Sequence, residues 1–472
     1  MTHNSIPADI RRHPDFRTIY QDKLKHADTS ERQDIITRLL NENEEFYQSV
    51  DFDLITQKLI NLSNELRKSL VNRVEITNQG LRAFMTAEHQ FIFSSAGVAK
   101  SLYAKQIFSY FSNASTYSIQ FCPDTTPDDL FGAYDIEKFK KGEIFHNIEG
   151  SIITSPFAFL DEFMDGNDKL LRSLLGVLLE RRFISGNQEE EAVLHSAIAT
   201  SNYLRENETT AALLDRFLYK SFITPAKDVF TLLKIDSVFG GNSGHVRNPD
   251  KNRQISLREL HAVYKLIKGQ ITKSHIHIPI EIQYLKNIVA TGFEQEMKKY
   301  RDDYYLSPRT ISKSNDLLKA NALIRGSKVV TEEDVKNLYY LFCTLNEPLD
   351  DKSNILSQQL FTQVYQAQVQ YFHSIQEELI PLLIIFNYMN EAQRDIQKLD
   401  QPIELPASHK SASRLSEFKN YLGKLVNFST DQRENNKKAL LEFVKSYHSQ
   451  HQDVNHFKQK LIDLIEEVFN YK

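Results

Sequence analysis

The chain has 472 residues, of which 41% are hydrophobic and 25% are charged, and its formal net charge is −5 at pH 7. This length is sufficient for about three domains, and the slightly acidic balance does not favour nucleic acid as a partner. The two cysteines, Cys122 and Cys343, are too far apart in sequence for a disulfide framework or a metal-binding pattern, which favours a reducing compartment.

The sequence contains no segment with the properties of a signal peptide or a membrane span. Residues 1–5 lack an apolar core, and the longest apolar run, Leu379 to Phe386, is too short to cross a bilayer and includes Pro381. We therefore expect a soluble, cytoplasmic protein.

Residues 1–70 contain no glycine, and their apolar residues recur at helical spacing, as at Ile55, Leu59, Leu62 and Leu66. This pattern predicts an N-terminal extension of two or three helices. We expect these helices to pack on the next domain or on a neighbouring subunit.

Residues 71–230 alternate short β-rich runs with helical stretches, which is typical of βαβ units and a parallel sheet. The sequence predicts an α/β domain with five strands, at Gln90–Ser94, Thr116–Phe121, Phe157–Leu160, Ser196–Thr200 and Lys220–Thr224.

Two segments between these strands resemble β-hairpin insertions with polar or glycine turns, Gly142–Gly150 and Arg182–Glu190. The second carries a run of acids, Glu189 to Glu191, which we expect to form a solvated tip.

Residues 231–345 predict a smaller helical domain, in which Pro308 opens one helix and Thr331 begins another. Residues 346–472 predict a helical bundle or coiled-coil arm. The expected helices of this last part are Ser353–Leu399, which Pro381 kinks or splits, and, after a linker at Gln401–Ala407, Ser411–Phe428, Thr430–His448 and Asp453–Tyr471.

The segment Gln90–Ser101 reads as strand, tight loop and helix, and ends in Gly97-x-x-Lys100-Ser101. This layout predicts a phosphate-binding loop, in which backbone N–H groups, the helix N-terminus and the lysine converge on an anion. Ser101 would place its hydroxyl on a magnesium ion. The usual pattern has glycine where this chain has Ser94, and we expect backbone strain there if a positive φ is needed.

Two acids, Asp161 and Glu162, follow the apolar strand beginning at Phe157. Ligands of open α/β sheets bind at the carboxyl ends of strands. Asp161 would therefore hold magnesium, and Glu162 would polarise the water that attacks the γ-phosphate. An acidic pair at a strand end is otherwise more often a cap or a salt-bridge partner.

Two further residues fit the same reaction. Asn202 follows the fourth strand and would reach the attacking water, although an asparagine there is more often a turn residue. Arg216 would act as an arginine finger on the transferring phosphoryl group; the alternative is a surface pair with Asp215.

The chain resembles the MoxR family of AAA+ ATPases over residues 70–345. Six ordered motifs carry the resemblance: Ala96–Ser101, Gln120–Gly132, the acidic strand ending at Glu162, Ala199–Asn202, Leu214–Phe217 and Leu306–Arg309. The resemblance implies an AAA+ core, a helical lid at residues 231–345, and a hexameric ring with ATP and Mg²⁺ between subunits. It also implies a role in remodelling or assembling protein clients, with a von Willebrand factor A (vWA) protein as partner.

The resemblance also implies a role for each matching residue. Lys100 and Ser101 would bind phosphate and magnesium, Asn202 would be sensor 1, Arg216 the finger acting on the neighbour's nucleotide, and Arg309 sensor 2. The hairpin segments would face the centre of the ring. The nucleotide would be surrounded by Ser95, Ala96, Gly97, Val98, Ala99, Lys100 and Ser101.

Within this family the chain is most similar to the RavA branch, because the run Asn354–Leu360 and the long helices beyond it resemble RavA. RavA carries a β-rich insertion in its helical bundle, whereas here Gln401–Lys410 holds only a linker. The loop also departs from the family pattern, since Ser95 and Ala96 replace the usual two prolines.

Two classes of function remain open from the residues alone. The first is a ring-forming remodelling ATPase. The second is a nucleotide-gated oligomeric scaffold with vestigial hydrolysis, which the departure at Ser94 motivates. A nucleic-acid motor is less favoured, because the helical arms show no basic stripe with interleaved aromatic residues.

Overall fold

The computed structural model describes most of the chain. The described residues are 7–13, 15–95, 97, 99–205, 208–223, 228–239, 249–300, 302, 304–342, 351–401, 403 and 432–470. The predicted helix at Ser411–Phe428 and most of the predicted linker before it lie outside these residues.

The strands of the described residues fall into one large sheet and two small pairs. Their bounds are β1 Gln90–Ser94, β2 Phe111–Ser112, β3 Thr116–Gln120, β4 Phe157–Asp161, β5 Arg182–Ser185, β6 Gln188–Glu191, β7 Ser196–Ser201, β8 Tyr219–Ile223 and β9 Ile255–Ser256.

The large sheet has the strand order β3-β4-β7-β1-β8, and each neighbouring pair is parallel. Parallel strands need crossover connections, and helices provide most of them here. The predicted five-stranded parallel sheet with flanking helices is confirmed. Because all five strands run the same way, the residues after β1, β4 and β7 meet at one edge.

The helices divide between two compact units, one formed by Met1–His277 with Leu306–Gln359 and one by Ile278–Tyr305 with Leu360–Lys472. The α-helices that begin in the first unit are α1 Ala8–Arg11, α2 Gln21–His26, α3 Thr29–Ser49, α4 Phe52–Ser69, α5 Val74–Thr86, α6 Lys100–Ser109, α7 Pro127–Phe131, α8 Ile136–Phe139, α9 Asp168–Leu175, α10 Glu208–Leu214, α11 Val229–Phe239, α12 Leu257–Ile267, α14 Pro308–Ile324, α15 Glu332–Val335, α16 Tyr339–Phe342 and α17 Asp351–Arg394. Those of the second unit are α13 Ile280–Lys298, most of α17, α18 Gln432–Ser446 and α19 Gln452–Asn470.

The two predicted hairpins have different outcomes. Arg182–Glu190 is confirmed, since β5 and β6 pair antiparallel from Arg182 opposite Glu191 to Ser185 opposite Gln188. The prediction for Gly142–Gly150 is wrong, because this segment has no strand and contributes one isolated bridge between His146 and Tyr134. Gly142 and Gly150 have positive φ, but they lie at turns of an irregular loop and not in a hairpin.

The N-terminal helices pack on the sheet domain of the same chain, one of the two expected arrangements. Arg11 forms a 2.9 Å ion pair with Glu190, and the backbone N–H of Ala8 donates to Glu191 Oε2 at 3.0 Å. The expectation of a solvated tip is therefore wrong for Glu190, whereas Glu191 stays exposed although it accepts this hydrogen bond. A carboxylate run in sequence does not reveal that the amino end of another helix lies against it.

Phenylalanine rings fill the core between the sheet and its helices, in a chain that has no tryptophan. The ring of Phe157, at the start of β4, lies 5.0 Å from Phe111 and 5.4 Å from Phe108. Phe84 of α5 stacks on Phe111 at 5.0 Å. These rings hold α5 and α6 on one face of the sheet and so fix the helix that follows the phosphate loop.

The second unit is built around α17, which runs unbroken through Pro381. Proline cannot donate a hydrogen bond to the preceding turn and disturbs the helix around it. Tyr447 donates its hydroxyl to the carbonyl oxygen of Glu378, in the turn before Pro381, at 2.6 Å. The helix is continuous at this point, so the predicted split at Pro381 is wrong.

None of the described helices is long and apolar enough to span a bilayer.

A buried histidine makes the first unit sensitive to acid. His261 of α12 places Nε2 3.1 Å from Asp9 Oδ1, and burial, followed by the charge of Arg12, lowers its pKa to about 4, against the raising effect of Asp9. An unfolded histidine has a pKa near 6.5, so the unfolded chain binds more protons between these values and acid favours unfolding.

We therefore expect His261 to contribute a loss of about 2 kcal/mol in the free energy of unfolding between pH 7 and pH 5. Chemical denaturation at both pH values measures this loss. His261→Gln should reduce the pH dependence, whereas His448→Gln, at an exposed position, should preserve it. The same pH dependence in all three chains would contradict the assignment.

Candidate functional site

The predicted phosphate loop connects β1 to α6 at the carboxyl edge of the sheet. Gly97 has φ +81°, a left-handed conformation that glycine adopts without strain. Ala96 and Val98 lie outside the described residues. α6 begins at Lys100, so its free N–H groups and positive dipole end lie at the loop.

Ser94 does not carry the strain that the sequence suggested. It is the last residue of β1, pairs with Ile223 of β8 and is fully buried. Its backbone is extended, and its carbonyl oxygen accepts a hydrogen bond from Lys100 Nζ at 3.3 Å. Serine in place of glycine is therefore compatible with the backbone at this position.

The strained backbone in the loop is at Ala99. Sequence reasoning did not recognise this residue as a departure from the phosphate-loop pattern. Ala99 has φ +64° and ψ +29° and caps the N-terminus of α6. Left-handed backbone costs a residue with a Cβ roughly 1–2 kcal/mol. The signal was present in the sequence, because the phosphate-loop pattern has glycine immediately before the lysine.

Asp161 ends β4 at the same edge, next to β7. Its Oδ1 accepts hydrogen bonds from the hydroxyl of Thr200 and, at 3.2 Å, from the backbone N–H of Glu162. Thr200, which is fully buried on β7, was also missed by sequence reasoning. Its proximity depends on the pairing of β4 with β7, which no local pattern reveals.

Asn202 links the lysine of the loop to the second acid. Its Oδ1 accepts a hydrogen bond from Lys100 Nζ, and its Nδ2 donates to Glu162 Oε1. Glu162 has φ +50°, which turns the chain just after β4. Four of the predicted site residues, Lys100, Asp161, Glu162 and Asn202, thus form one cluster.

The charge of Lys100 is balanced within this cluster. Its side chain is only 8% exposed, and burial lowers its pKa, while the carboxylates of Glu162 and Asp161 raise it. A buried cation is stable where counter-charges and hydrogen-bond acceptors surround it. Because the charge of Lys100 is already balanced, the cluster is suited to an anion that brings a cation with it.

The donor set also fits magnesium. Both hydrogen bonds to Asp161 from the described residues fall on Oδ1, which leaves Oδ2 as a ligand for a hard cation. Ser101, in the first turn of α6, is partly exposed beside the loop. Mg²⁺ takes few protein ligands and completes its shell with phosphate and water, so these two oxygens suffice.

The two predicted arginines form a second group. Arg216 Nη1 lies 3.0 Å from Asp215 Oδ2, and Arg309 Nη1 lies 3.6 Å from the same oxygen. Arg309 is in the first turn of α14, where Ser307 caps the helix and Pro308 is the first residue. One carboxylate therefore holds together a residue that precedes β8 and a residue nearly a hundred positions later.

This arginine pair lies at the opposite edge of the sheet from the phosphate loop. Asp215 precedes β8, whose first residue, Tyr219, pairs with the first residue of β1. Burial lowers the pKa of Lys220 to about 8, Asp215 raises it and Arg309 lowers it, so both charges lie near the start of β8. A five-residue strand separates the two edges by about 13 Å.

Comparison with known families agrees with this geometry. Residues 57–264 match the family model described as the MoxR domain in the MoxR-vWA-beta-propeller ternary systems. Residues 282–356 match the AAA lid domain.

Three proteins are similar to the chain in sequence, at 23% to 28% identity. Two uncharacterised proteins of Methanocaldococcus jannaschii are 28% identical over 292 residues and 25% identical over 288 residues, in each case 61% of this chain and 70% and 71% of the relative. A structural protein of Acidianus two-tailed virus is 23% identical over 364 residues, 71% of this chain and 57% of that protein.

The fold is also found among solved structures. The crystal structure of a "putative ATPase" from Cytophaga hutchinsonii has a TM-score of 0.51 and 19% identity, and the match covers 70% of this chain and 97% of that one. With the sheet order and the two family matches, this similarity shows the AAA+ fold. The chain thus has the AAA+ fold, with a match to the MoxR domain over residues 57–264 and to the AAA lid domain over residues 282–356.

Proposed function

We propose that this protein is a ring-forming AAA+ ATPase that hydrolyses ATP between subunits and uses the reaction to remodel or assemble other proteins. The observation that carries the proposal is the cluster of Lys100, Asn202 and Glu162 beside Asp161, at the carboxyl edge of a parallel sheet. Phosphoryl transfer asks a protein mainly for positioning and charge neutralisation, and this cluster provides both.

In this proposal the loop and α6 bind the nucleotide. Backbone N–H groups of the loop, the N-terminus of α6 and the Lys100 ammonium hold the phosphates. Ser101 and Asp161 hold Mg²⁺, which when bound neutralises charge on the β- and γ-phosphates. Thr200 keeps the Asp161 carboxylate in position through its hydroxyl.

Glu162 and Asn202 act on the attacking water. Glu162 accepts a hydrogen bond from the water and orients it in line with the γ-phosphate, and Asn202 fixes the Glu162 carboxylate through Nδ2. The same amide also accepts a hydrogen bond from Lys100 through Oδ1, so Asn202 connects the lysine that binds phosphate to the glutamate that orients the water.

Arg216 and Arg309 act on the nucleotide of the neighbouring subunit. About 13 Å of strand separates them from their own phosphate loop, and Asp215 holds both at the far edge. In a ring with head-to-tail contacts, that edge of one copy faces the phosphate edge of the next. The two guanidinium groups would then stabilise charge on the transferring phosphoryl group.

Further features of the proposal rest on the family. The matching family model describes MoxR domains that operate with vWA proteins, which supports a vWA partner for this chain. A hexameric ring, the RavA branch and a cytoplasmic setting remain predictions, since the comparisons extend to the MoxR domain and the lid. The second candidate, a nucleotide-gated scaffold, is favoured only by the strain at Ala99, because Ser94 fits its extended backbone.

Loss of Glu162 or Arg216 should abolish turnover for different reasons. We expect Glu162→Gln to reduce phosphate release by about 100-fold or more and to leave ATP binding intact, because it removes water activation and no phosphate contact. Arg216→Ala should reduce turnover by roughly 10³-fold or more. Arg182→Ala, at an exposed hairpin position, is the control.

Phosphate release and equilibrium ATP binding are measured on the same preparations. Phosphate release that neither substitution changes would contradict the ATPase proposal. Tight ATP binding that alters the oligomeric state without turnover in the parent chain would favour the scaffold instead.

Mixing variants tests the trans action of the arginines. Lys100→Ala removes the phosphate contact and keeps the arginine pair, whereas a chain with Arg216→Ala and Arg309→Ala keeps the phosphate cluster. Each should be inactive alone. Random mixing in a ring should restore about a quarter of the parent's turnover, because that fraction of interfaces has both intact halves. No recovery in stably mixed assemblies would show that the arginines act within their own chain.

Two glycine substitutions separate Ser94 from Ala99. Ala99→Gly should raise the free energy of unfolding by up to about 1 kcal/mol, because glycine adopts the left-handed conformation with less strain. Ser94→Gly should lower it by about 0.5–1 kcal/mol, because glycine in an extended strand only adds freedom to the unfolded chain. Chemical denaturation measures both. Stabilisation by Ser94→Gly and not by Ala99→Gly would contradict the backbone assignment.

A further inference from the structure

The helix α11 exposes an unusual number of large apolar side chains for its length. Val229 is 72% exposed, Phe230 68%, Leu232 46% and Leu233 60%. These four residues, here called the α11 apolar face, lie within two turns of one helix. Soluble proteins rarely leave contiguous apolar groups of this size in water unless another surface covers them.

The orientation of α11 is fixed by polar contacts on its other side. Asp228 accepts a hydrogen bond from the backbone N–H of Thr231 at 2.8 Å, which caps the helix. Thr231 is buried and accepts a hydrogen bond from Asn72 Nδ2 at 3.0 Å. These bonds hold the polar side of the first turn against the domain, so the apolar side points outward.

The position of α11 relates it to the nucleotide site. β8 is an edge strand of the large sheet, and its last residue, Ile223, pairs with Ser94, immediately before the phosphate loop. α11 begins six residues after Ile223. The helix therefore follows the carboxyl end of β8, on the side of the sheet where the phosphate loop lies.

We propose that the α11 apolar face is covered by a second copy of this chain, in the same interface that brings the neighbour's arginines to the nucleotide. This inference rests on the proposed trans action of Arg216 and Arg309. The phosphate cluster is incomplete without a neighbour, because the arginine pair of its own chain lies at the other edge of the sheet. A neighbour that reaches the phosphate loop with that pair approaches the edge of the sheet from which the chain continues to α11.

The composition of α11 fits a subunit interface. Its apolar residues are followed by Lys234 and Asp236, which are exposed polar residues, and Lys234 lies 4.6 Å from the Phe230 ring centroid. An apolar centre with a charged rim is typical of protein interfaces. Since the arginine edge and the α11 edge are different surfaces, the contact is heterologous, and repeated contacts of this type form a ring when the rotation between copies closes.

A charge placed in the α11 apolar face tests the proposal. Leu233→Asp should raise the concentration for half-maximal assembly at least tenfold, measured by light scattering in a concentration series with a slowly hydrolysed ATP analogue. Leu54→Asp is the matched control, since Leu54 is 55% exposed on α4, and it should change assembly less than twofold. Phe230→Asp provides an independent second variant, and circular dichroism checks that each chain is folded.

Three outcomes decide the proposal. Normal assembly of both folded α11 variants would overturn it. Loss of fluorescent ATP-analogue binding by these variants at dilutions where the parent is monomeric would also overturn it, because α11 would then cover the nucleotide of its own chain. Weakened assembly with unchanged monomer binding supports it.

The same samples separate this interface from the ATPase proposal. A parent chain that assembles through α11 but releases no phosphate counts against hydrolysis and leaves the interface intact. A parent chain that hydrolyses ATP while the α11 variants assemble normally counts against the interface alone.

Discussion

The parallel pairing of β1 with β7, and of β7 with β4, is the constraint on which the proposed nucleotide site depends. It brings the ends of three strands to one edge, so that Lys100, Asp161 and Asn202 meet although they are far apart in sequence. The amide of Asn202 then connects the lysine to Glu162. An antiparallel neighbour at either position would send one of these residues to the opposite edge, and no substitution within the loop would restore the cluster.

In the proposed ring, the same pairing explains why one chain would not complete its own site. Arg216 precedes β8 and is therefore directed to the amino-terminal edge as surely as Lys100 is directed to the carboxyl edge. Asp215 adds Arg309 from α14 to that edge, so the two arginines of one chain stay together. Trans catalysis in the proposed ring thus follows from strand direction and does not require any special flexibility of the arginine side chains.

The sequence was sufficient for the five strands of the large sheet and for the four residues of the cluster, because both depend on local patterns. β1 is a short apolar run before a glycine-containing loop, and Asp161 and Glu162 follow an apolar strand directly. It was insufficient where partners come from distant elements. Thr200 reaches Asp161 only through the β4–β7 register, and Glu190 meets Arg11 only because the N-terminal helices return to the hairpin. Ala99 was missed for a different reason, since the phosphate-loop pattern itself has glycine at this position.

The two edges of the sheet differ in the kind of surface they offer, and this difference bears on how copies would assemble. The amino-terminal edge presents guanidinium groups held by Asp215, whereas α11 presents Val229, Phe230 and Leu233. Apolar burial gives association its strength but little orientation, while charge-assisted hydrogen bonds to phosphate give orientation and depend on the nucleotide. An interface that combines both would form through α11 and acquire its catalytic alignment only when ATP occupies the loop. Nucleotide state would then control the geometry of the ring more than its existence.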